Sequence, residues 1–306
     1  METIDLHIHT TYSDGTHSVS EVLEMAEALR EKLDLQVISI TDHDSVGAYQ
    51  ELKSKEIRNL YQGKIIGGVE LSFNLNNRLY DLLGYGINIG KMLELLNIRA
   101  DEKKRIEREN SILSEFLAVC DKKGIEHRQD LKVTAGNVHE AFNVVWEDIT
   151  NFTEHPQNAR FKEYSIEKPS INIFHKTHFL NPDSEFFVNV AAYSPSLKEA
   201  IKMIHDCGGK TFLAHSFVYG LSDVAAFIEY AIGEGIDGLE KYYSAHTKEQ
   251  EEVIQDYADR YGLFVSGGSD FHGEKPKPGV KIGTGKGDMR VTRDIIKTWE
   301  QENGAN

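Results

Sequence analysis

Strand and helix patterns alternate along two stretches of this chain, and that alternation constrains its fold more than any other feature. At the start, "IDLHIHT" (residues 4–10) reads as a strand, "SVSEVLEMAEALREKL" as an amphipathic helix opened by a capping box of Ser18 and Glu21, and "LQVISITDHD" as a buried strand rich in β-branched residues. A helix near residues 46–61 follows, then the strand "KIIGGVELSF", the turn-like "NLNN" and a further strand "RLYDLLGYGI". From Ser194 the alternation resumes: helix "SLKEAIKMIHDCGG", strand "KTFLAHS", a helix over 221–233, strand "IDGLEKYY", a helix over 247–261 opened by Thr247 and Gln250, and strand "LFVSGGSDFHG". Repeated β-α-β units call for a parallel sheet or barrel with helices outside.

Between about Gly90 and Asn189 the pattern becomes helical and highly charged, most clearly in "RADEKKRIEREN", which has the character of a solvated helix face. The chain therefore reads as an α/β barrel made of residues 1–85 and 194–306, interrupted by a helical insertion over 86–193 that is expected to cap the substrate. No internal repeat or low-complexity tract is present.

Composition narrows the partners. In 306 residues, 49 acidic against 34 basic side chains leave a formal charge of −15, which disfavours binding a long nucleic acid through a broad basic surface. Cations held in a cleft would reverse that sign locally. Two cysteines, Cys120 and Cys207, are too few for a disulfide framework and suit a reducing compartment. There is no basic segment leading into an apolar run at the start and no stretch of 18 apolar residues, so the expectation is a soluble, cytoplasmic protein with no membrane partner.

The chemistry-bearing residues fall where strands finish. His7 and His9 lie two apart on the first strand and so share a face. Asp42, His43 and Asp44 end the second strand, Glu70 follows Gly67, Gly68 and Val69 on the third, His215 ends "TFLAHS", and Asp270 and His272 end "LFVSGGSDFH". In a parallel β/α barrel these ends converge on one rim, where active sites sit. Imidazole mixed with carboxylate suits zinc, iron or manganese, and the carboxylates would offset two or more divalent cations. Other phosphate chemistries lack their residues. Neither cysteine begins a Cys-x5-Arg loop, since Glu126 and Leu213 stand at the arginine places, and Ile204 and Val280 stand where a P-loop needs its first glycine.

In order and approximate spacing, "DLHIHTTYSDG", "ITDHDS", "GVELS", "LAHS", "GLEKYYSAH" and "SGGSDFHG" resemble the polymerase and histidinol phosphatase (PHP) family of metal-dependent phosphoesterases. The motif wording is closest to the bacterial branch that includes nucleotide phosphatases and short-RNA exonucleases. The resemblance spans residues 4 to about 85 and 194 to about 283, and implies a distorted (β/α)7 barrel with a trinuclear site at its rim. Carried over residue by residue, it implies that His7, His9, Glu70 and Asp270 hold one metal, that Asp14, His43 and His272 hold a second, and that Glu70 and His215 help hold a third.

Two positions depart from the family pattern. Where many relatives carry a histidine ligand, in wording like "VHILGY", this chain has "YDLLGY" with Asp81 there, and a carboxylate favours a harder metal such as manganese. Where relatives show an Arg-Pro-His pattern that meets phosphate, "KPSINIFH" offers Lys168 and His175, and Lys168 would act as a point charge without the fork of arginine. His246, in "YYSAHT", is the candidate proton donor to the leaving oxygen or phosphate contact, and Glu240 and Tyr243 are expected behind the ligands. His17, His127, His139, His155, His178 and His205 lack motif context and are assigned to surface or core.

The implied activity is hydrolysis of a small phosphomonoester, a nucleotide or nucleoside bisphosphate, by in-line attack of metal-activated water with no covalent enzyme intermediate. The alternatives are a 5′-directed exonuclease on short oligonucleotides and a metal-loaded binding module without turnover.

Overall fold

The computed structural model describes residues 2–99, 102–134, 140–162, 174–287 and 289–300. By their internal contacts these residues form two compact units, one of Met1–Phe73, Tyr80–Leu96 and Pro195–Asn306, the other of Asn74–Leu79 and Asn97–Ser194.

The first unit is built on an eight-stranded sheet: β1 (Thr3–Ile8), β2 (Leu35–Ile40), β3 (Lys64–Leu75), β4 (Arg78–Tyr85), β5 (Lys210–Leu213), β6 (Gly238–Tyr243), β7 (Phe264–Gly268) and β8 (Val291–Thr292). The spatial order is β7-β6-β5-β4-β3-β2-β1-β8. β1, β2 and β3 run parallel, as do β5, β6 and β7, whereas β5 pairs antiparallel with β4 and β8 antiparallel with β1. The sheet nearly closes on itself where β1 meets the residues after β7. There Asp270 N donates to His7 O at 2.8 Å, and His9 N donates to Phe271 O at 2.9 Å. This is the α/β barrel that the alternation predicts, distorted as the family resemblance implies, with β4 and β8 running against β5 and β1 where the alternation alone predicts parallel strands.

Local chemistry accounts for these elements. β1 and β2 are buried along nearly their whole length, as strands with both faces covered must be. The helix Val19–Leu33 begins with the predicted box, Ser18 N donating to Glu21 at 2.7 Å and Glu21 N to Ser18 Oγ at 3.3 Å. The helices Leu197–Asp206 and Lys248–Tyr261 open with the same device, and Gly262 at φ +66 closes the latter. Ile4, Leu6, Val37, Leu83, Phe212 and Trp299 belong to the apolar core of this unit.

One element differs from expectation. In place of a helix over residues 46–61 there are two single turns, Ala48–Glu51 and Lys55–Arg58, separated by Ser54 in an extended conformation. Tertiary anchors at both ends account for the break. The Tyr49 hydroxyl lies 2.8 and 2.9 Å from the carbonyls of Ile40 and Ile66, and the Tyr61 hydroxyl donates to Leu35 O at 2.8 Å. Arg58 is bent onto the carbonyls of Tyr61 and Gly63, at 2.6 and 3.1 Å. A continuous helix could not satisfy all of these.

The second unit has its own core, centred on Phe116, Phe142, Trp146, Phe161, Phe174 and Phe179. The helices Glu102–Lys123 and Glu140–Asn151 supply much of it.

Candidate metal centre

Strand ends and the turns beyond them supply much of the site, but Glu70, expected at a strand end, lies inside β3, which runs on past its pairing with β2, and Asp81 lies inside β4. Alternation along β1 puts Asp5, His7 and His9 on one side of the strand. All three are fully buried. A parallel bridge joins His43 to Glu70, just past the end of β2, and so brings the second and third motifs together. The loop after His9 is folded back by Asp42, whose carboxylate accepts from Thr10 N, Thr10 Oγ1 and Ser13 Oγ, each at 2.7 Å. Gly15 turns that loop so tightly that a Cβ would lie 2.6 Å from His9 O. Asp14 is thereby delivered to His272, 3.0 Å from its Nε2. His215 and Asp270 both hold left-handed backbone, at φ +24 and +56, a strain that tertiary structure must sustain at functional positions.

Three groups of donor atoms converge, the atoms of each lying within 4.8 Å of one another: His7, His9, Glu70 and Asp270; His9, Asp14, His43 and His272; and His43, Glu70 and Asp81. In the first, His7 Nε2 and His9 Nε2 face each other at 3.1 Å, and each lies 3.1 Å from Glu70 Oε2. Asp270 Oδ1 stands 3.4 Å from His7 Nε2 and 3.2 Å from His9 Nε2. His43 Nδ1 is 3.4 Å from Glu70 and 4.0 Å from Asp81, while His215 Nε2 is 3.1 Å from Glu70 Oε1. All nine residues expected as ligands thus belong to one connected cluster.

The electrostatics fit cations. Burial alone would lower His7, yet Glu70, Glu240 and Asp270 raise it well above the ordinary imidazole value. His9 is pushed up to about 9, against burial, by Asp270 and Glu70. Burial would raise Glu70 and Asp270, but the surrounding imidazoles, and Lys277 for Asp270, hold both well below the carboxylate range. These carboxylates stay ionised where water cannot reach them, and among the described residues it is protonated histidines and, for Asp270, Lys277 that balance them. One ring nitrogen is in keeping with such a ligand role, since His43 Nδ1, which faces Glu70 and Asp81, is buried without a hydrogen-bond partner. His7 Nδ1 donates to Glu240 Oε1 at 2.7 Å, which turns its Nε2 lone pair toward the cluster, the orientation a ligating histidine needs.

The remaining predicted residues are placed as follows. Asp81 accepts from Ser72 Oγ and Tyr219 OH, each at 3.2 Å, and burial followed by the Glu70 charge raises its pKa. His246 donates from Nδ1 to Lys241 O at 3.0 Å, its Nε2 is buried without a partner, and burial lowers its pKa. Tyr243 lies between the histidine rings of His215 and His246, with centroids 5.1 Å from each. His175 packs on Phe142 and Phe179 in the second unit. Lys168 and His139 lie outside the described residues.

Two contributors escaped the sequence. Tyr219, four residues past His215, has its OH accepting from Asp81 N at 2.9 Å and donating to the Asp81 carboxylate. Lys277 pairs with Asp270 Oδ2. The available signal was position: Lys277 sits in "HGEKPKPGV", a loop leaving the rim at which β/α barrels place function.

A barrel carrying clustered imidazoles and carboxylates on its rim defines a metal-dependent hydrolase of phosphoesters. The family model described as "PHP domain" matches residues 5–302, and the chain belongs to that family. It is 26% identical over 276 residues to a 3′,5′-nucleoside bisphosphate phosphatase of Chromobacterium violaceum, covering 89% of this chain and 88% of that one. It is 25% identical over 304 residues to a 5′-3′ exoribonuclease of Haemophilus influenzae, covering 97% and 98%. A solved structure from Bifidobacterium adolescentis shares the fold at TM-score 0.62 and 22% identity, over 100% of this chain and 97% of that one. No described helix is long and apolar enough to cross a membrane.

Proposed function

We propose that this PHP phosphoesterase hydrolyses a small phosphomonoester on a nucleotide or nucleoside bisphosphate. The observation that carries the reading is the convergence of His7, His9, Glu70 and Asp270 beside two further donor groups that share His9, His43 and Glu70. The relative that covers most of this chain and is named a nucleoside bisphosphate phosphatase supports the substrate class.

His7, His9, Glu70 and Asp270 are assigned to one divalent cation, Asp14, His43 and His272 to a second, and Glu70, His215 and Asp81 to a third, drawn from manganese, zinc or iron. Such cations, when bound, polarise phosphoryl oxygens and lower the pKa of water. Glu240 fixes the tautomer of His7 through Nδ1, and the turn around Asp14 brings its carboxylate to His272. His246 is neutral at pH 7 because burial lowers its pKa, so its Nε2 carries a lone pair. Once that nitrogen has taken up a proton, it is a stronger acid toward a leaving oxygen than an ordinary imidazole. The second unit is assigned the selection of substrate.

The exoribonuclease relative, matched over nearly its whole length, favours a second reading: 5′-directed cleavage of short oligonucleotides. One experiment separates the two. Phosphate release is measured from mononucleotides, nucleoside bisphosphates, histidinol phosphate and a short 5′-phosphorylated RNA with manganese present, for wild type, His9→Ala and Asp270→Ala. Release from a bisphosphate or mononucleotide that vanishes in both variants supports the first reading. Stepwise shortening of the RNA with little release from mononucleotides supports the second, and no release from any substrate rejects both.

A further inference from the structure

The carboxylates of this site attract cations, whereas its substrate brings a phosphoryl group carrying negative charge, which a fixed positive group beside the cations would help to receive. The sequence pointed to Lys168 for this part. The first unit contains another ammonium in contact with the cluster. Among the described residues, Lys277 is the only lysine or arginine ion-paired to any of the nine candidate ligands, and its partner is Asp270.

Three observations suit Lys277 to more than balancing Asp270. Its Nζ takes Asp270 by Oδ2, while Oδ1 of the same carboxylate faces His7, His9 and His272, so the ammonium occupies the side of Asp270 turned away from the histidine nitrogens. Its Nζ also lies 3.5 Å from Tyr243 OH, a phenol that borders both His215 and His246. An ammonium has three N–H donors. Asp270 takes one and Tyr243 is reached by a second, so a third is left, and the side chain is 31% exposed beside an Asp270 carboxylate that is only 2% exposed. Solvent, and hence a substrate, can meet this donor without any rearrangement of the cluster.

The loop holds the lysine in place. Lys277 N donates to Gly273 O at 3.1 Å, Val280 N to Lys277 O at 3.2 Å, and Gly279 N to Glu274 at 3.2 Å, with Pro276 and Pro278 on either side. Proline restricts the backbone on both flanks, so the stem leaves from a fixed point.

We propose that Lys277, with the Tyr243 hydroxyl beside it, binds a phosphoryl oxygen of the substrate at the Asp270 side of the site. The proposal deepens the phosphoesterase reading and rests on it for the identity of the anion. Lys277 is then a binding residue for the phosphoryl group, and Tyr243, whose hydroxyl accepts from Lys277 and is hydrogen-bonded to Asp270, holds the ammonium beside it.

The test uses the full chain loaded with manganese, with inorganic phosphate as the probe. Metal content is measured by elemental analysis and phosphate affinity by titration calorimetry, for wild type, Lys277→Ala and Lys277→Arg. Lys277→Ala is expected to keep the wild-type metal count and to bind phosphate about tenfold more weakly or worse, and Lys277→Arg to recover most of the loss. Phosphate affinity within about twofold of wild type in Lys277→Ala overturns the proposal and leaves the lysine as a counter-ion. Loss of metal from Lys277→Ala also overturns it, because the lysine then acts by placing Asp270. Lys277→Gln, close in length, replaces the alanine variant if that one does not fold. A wild-type chain that binds phosphate through Lys277 yet releases none from any phosphomonoester would reject the catalytic reading and leave this one standing.

Discussion

Glu240 joins two histidines that lie far apart in the chain, His7 and His215. One carboxylate oxygen accepts the Nδ1–H of His7 at 2.7 Å and the other accepts the backbone N–H of His215 at 2.8 Å. Glu240 is itself fully buried on β6. A single carboxylate thus sets the tautomer of one imidazole and the backbone of the other, at a residue whose φ is positive. Glu240→Gln replaces an acceptor with a donor on one side. Cation affinity is expected to fall by about 10- to 100-fold with the far-ultraviolet circular dichroism unchanged. Competition with a chromophoric chelator measures this, and wild-type affinity would remove Glu240 from the role.

The raised histidines fix the sign of a pH dependence. His9 rises from its ordinary value to about 9 in the folded, cation-free chain. A folded pKa above the unfolded one gives stability that is full below the unfolded value of about 6.5 and is lost as pH climbs toward 9. The chelated protein should therefore melt at progressively lower temperature across that window. Cations displace the same proton, so their binding should release protons and tighten over the same interval. Melting curves in chelator, with calorimetry in two buffers of different ionisation enthalpy, read both effects. A flat melting temperature from about pH 6.5 to about pH 9 would contradict the assignment.

Asp81 is expected to set metal preference in the third donor group. Its carboxylate stands with Glu70 and His43 and is held by Ser72 and Tyr219. Replacing it with imidazole makes the group softer. Asp81→His is expected to shift competition between manganese and zinc toward zinc by about tenfold at one site per chain. Elemental analysis after equilibration with both metals checks it, and an unchanged ratio would place Asp81 outside the ligands.

Two glycines should respond in opposite directions to alanine. A Cβ at Gly268 would lie 2.3 Å from His7 N and 2.8 Å from Asp5 Oδ1, at the seam where the barrel closes. Backbone and buried carboxylate cannot yield there, so Gly268→Ala should cost about 3 kcal/mol or more and loosen cation binding with it. Gly233, inside the helix Val224–Glu234, has nothing within 4 Å of the added carbon. Gly233→Ala should stabilise by about 0.5–1 kcal/mol. Urea unfolding of both variants measures the contrast.

Much of this protein was legible in its residues because the relevant signals are local. Period-2 alternation places His7 and His9 on one face, capping boxes at Ser18 and Thr247 start two helices, and apolar runs that end in Asp or His mark strand ends, whereas Glu70 falls inside β3. Each follows from a few neighbouring side chains, and the barrel rule carries the strand ends to a common rim.

Tertiary structure decided what depends on distant partners. Residues 46–61 carry a helical pattern, yet Tyr49 and Tyr61 find carbonyls on β2 and β3, and two single turns result. His9 and His43 each belong to two donor groups, a sharing that no spacing reveals because it depends on how Asp14, Glu70, Asp81 and His272 converge in space. Lys277 follows Asp270 by only seven residues, but it is the turn through Gly273 and Val280 that brings its ammonium to the carboxylate oxygen facing away from the imidazoles. Local pattern fixes which side chains leave a strand in which direction, while the distance between two charged groups is set by closure of the barrel, the only event that buries them together.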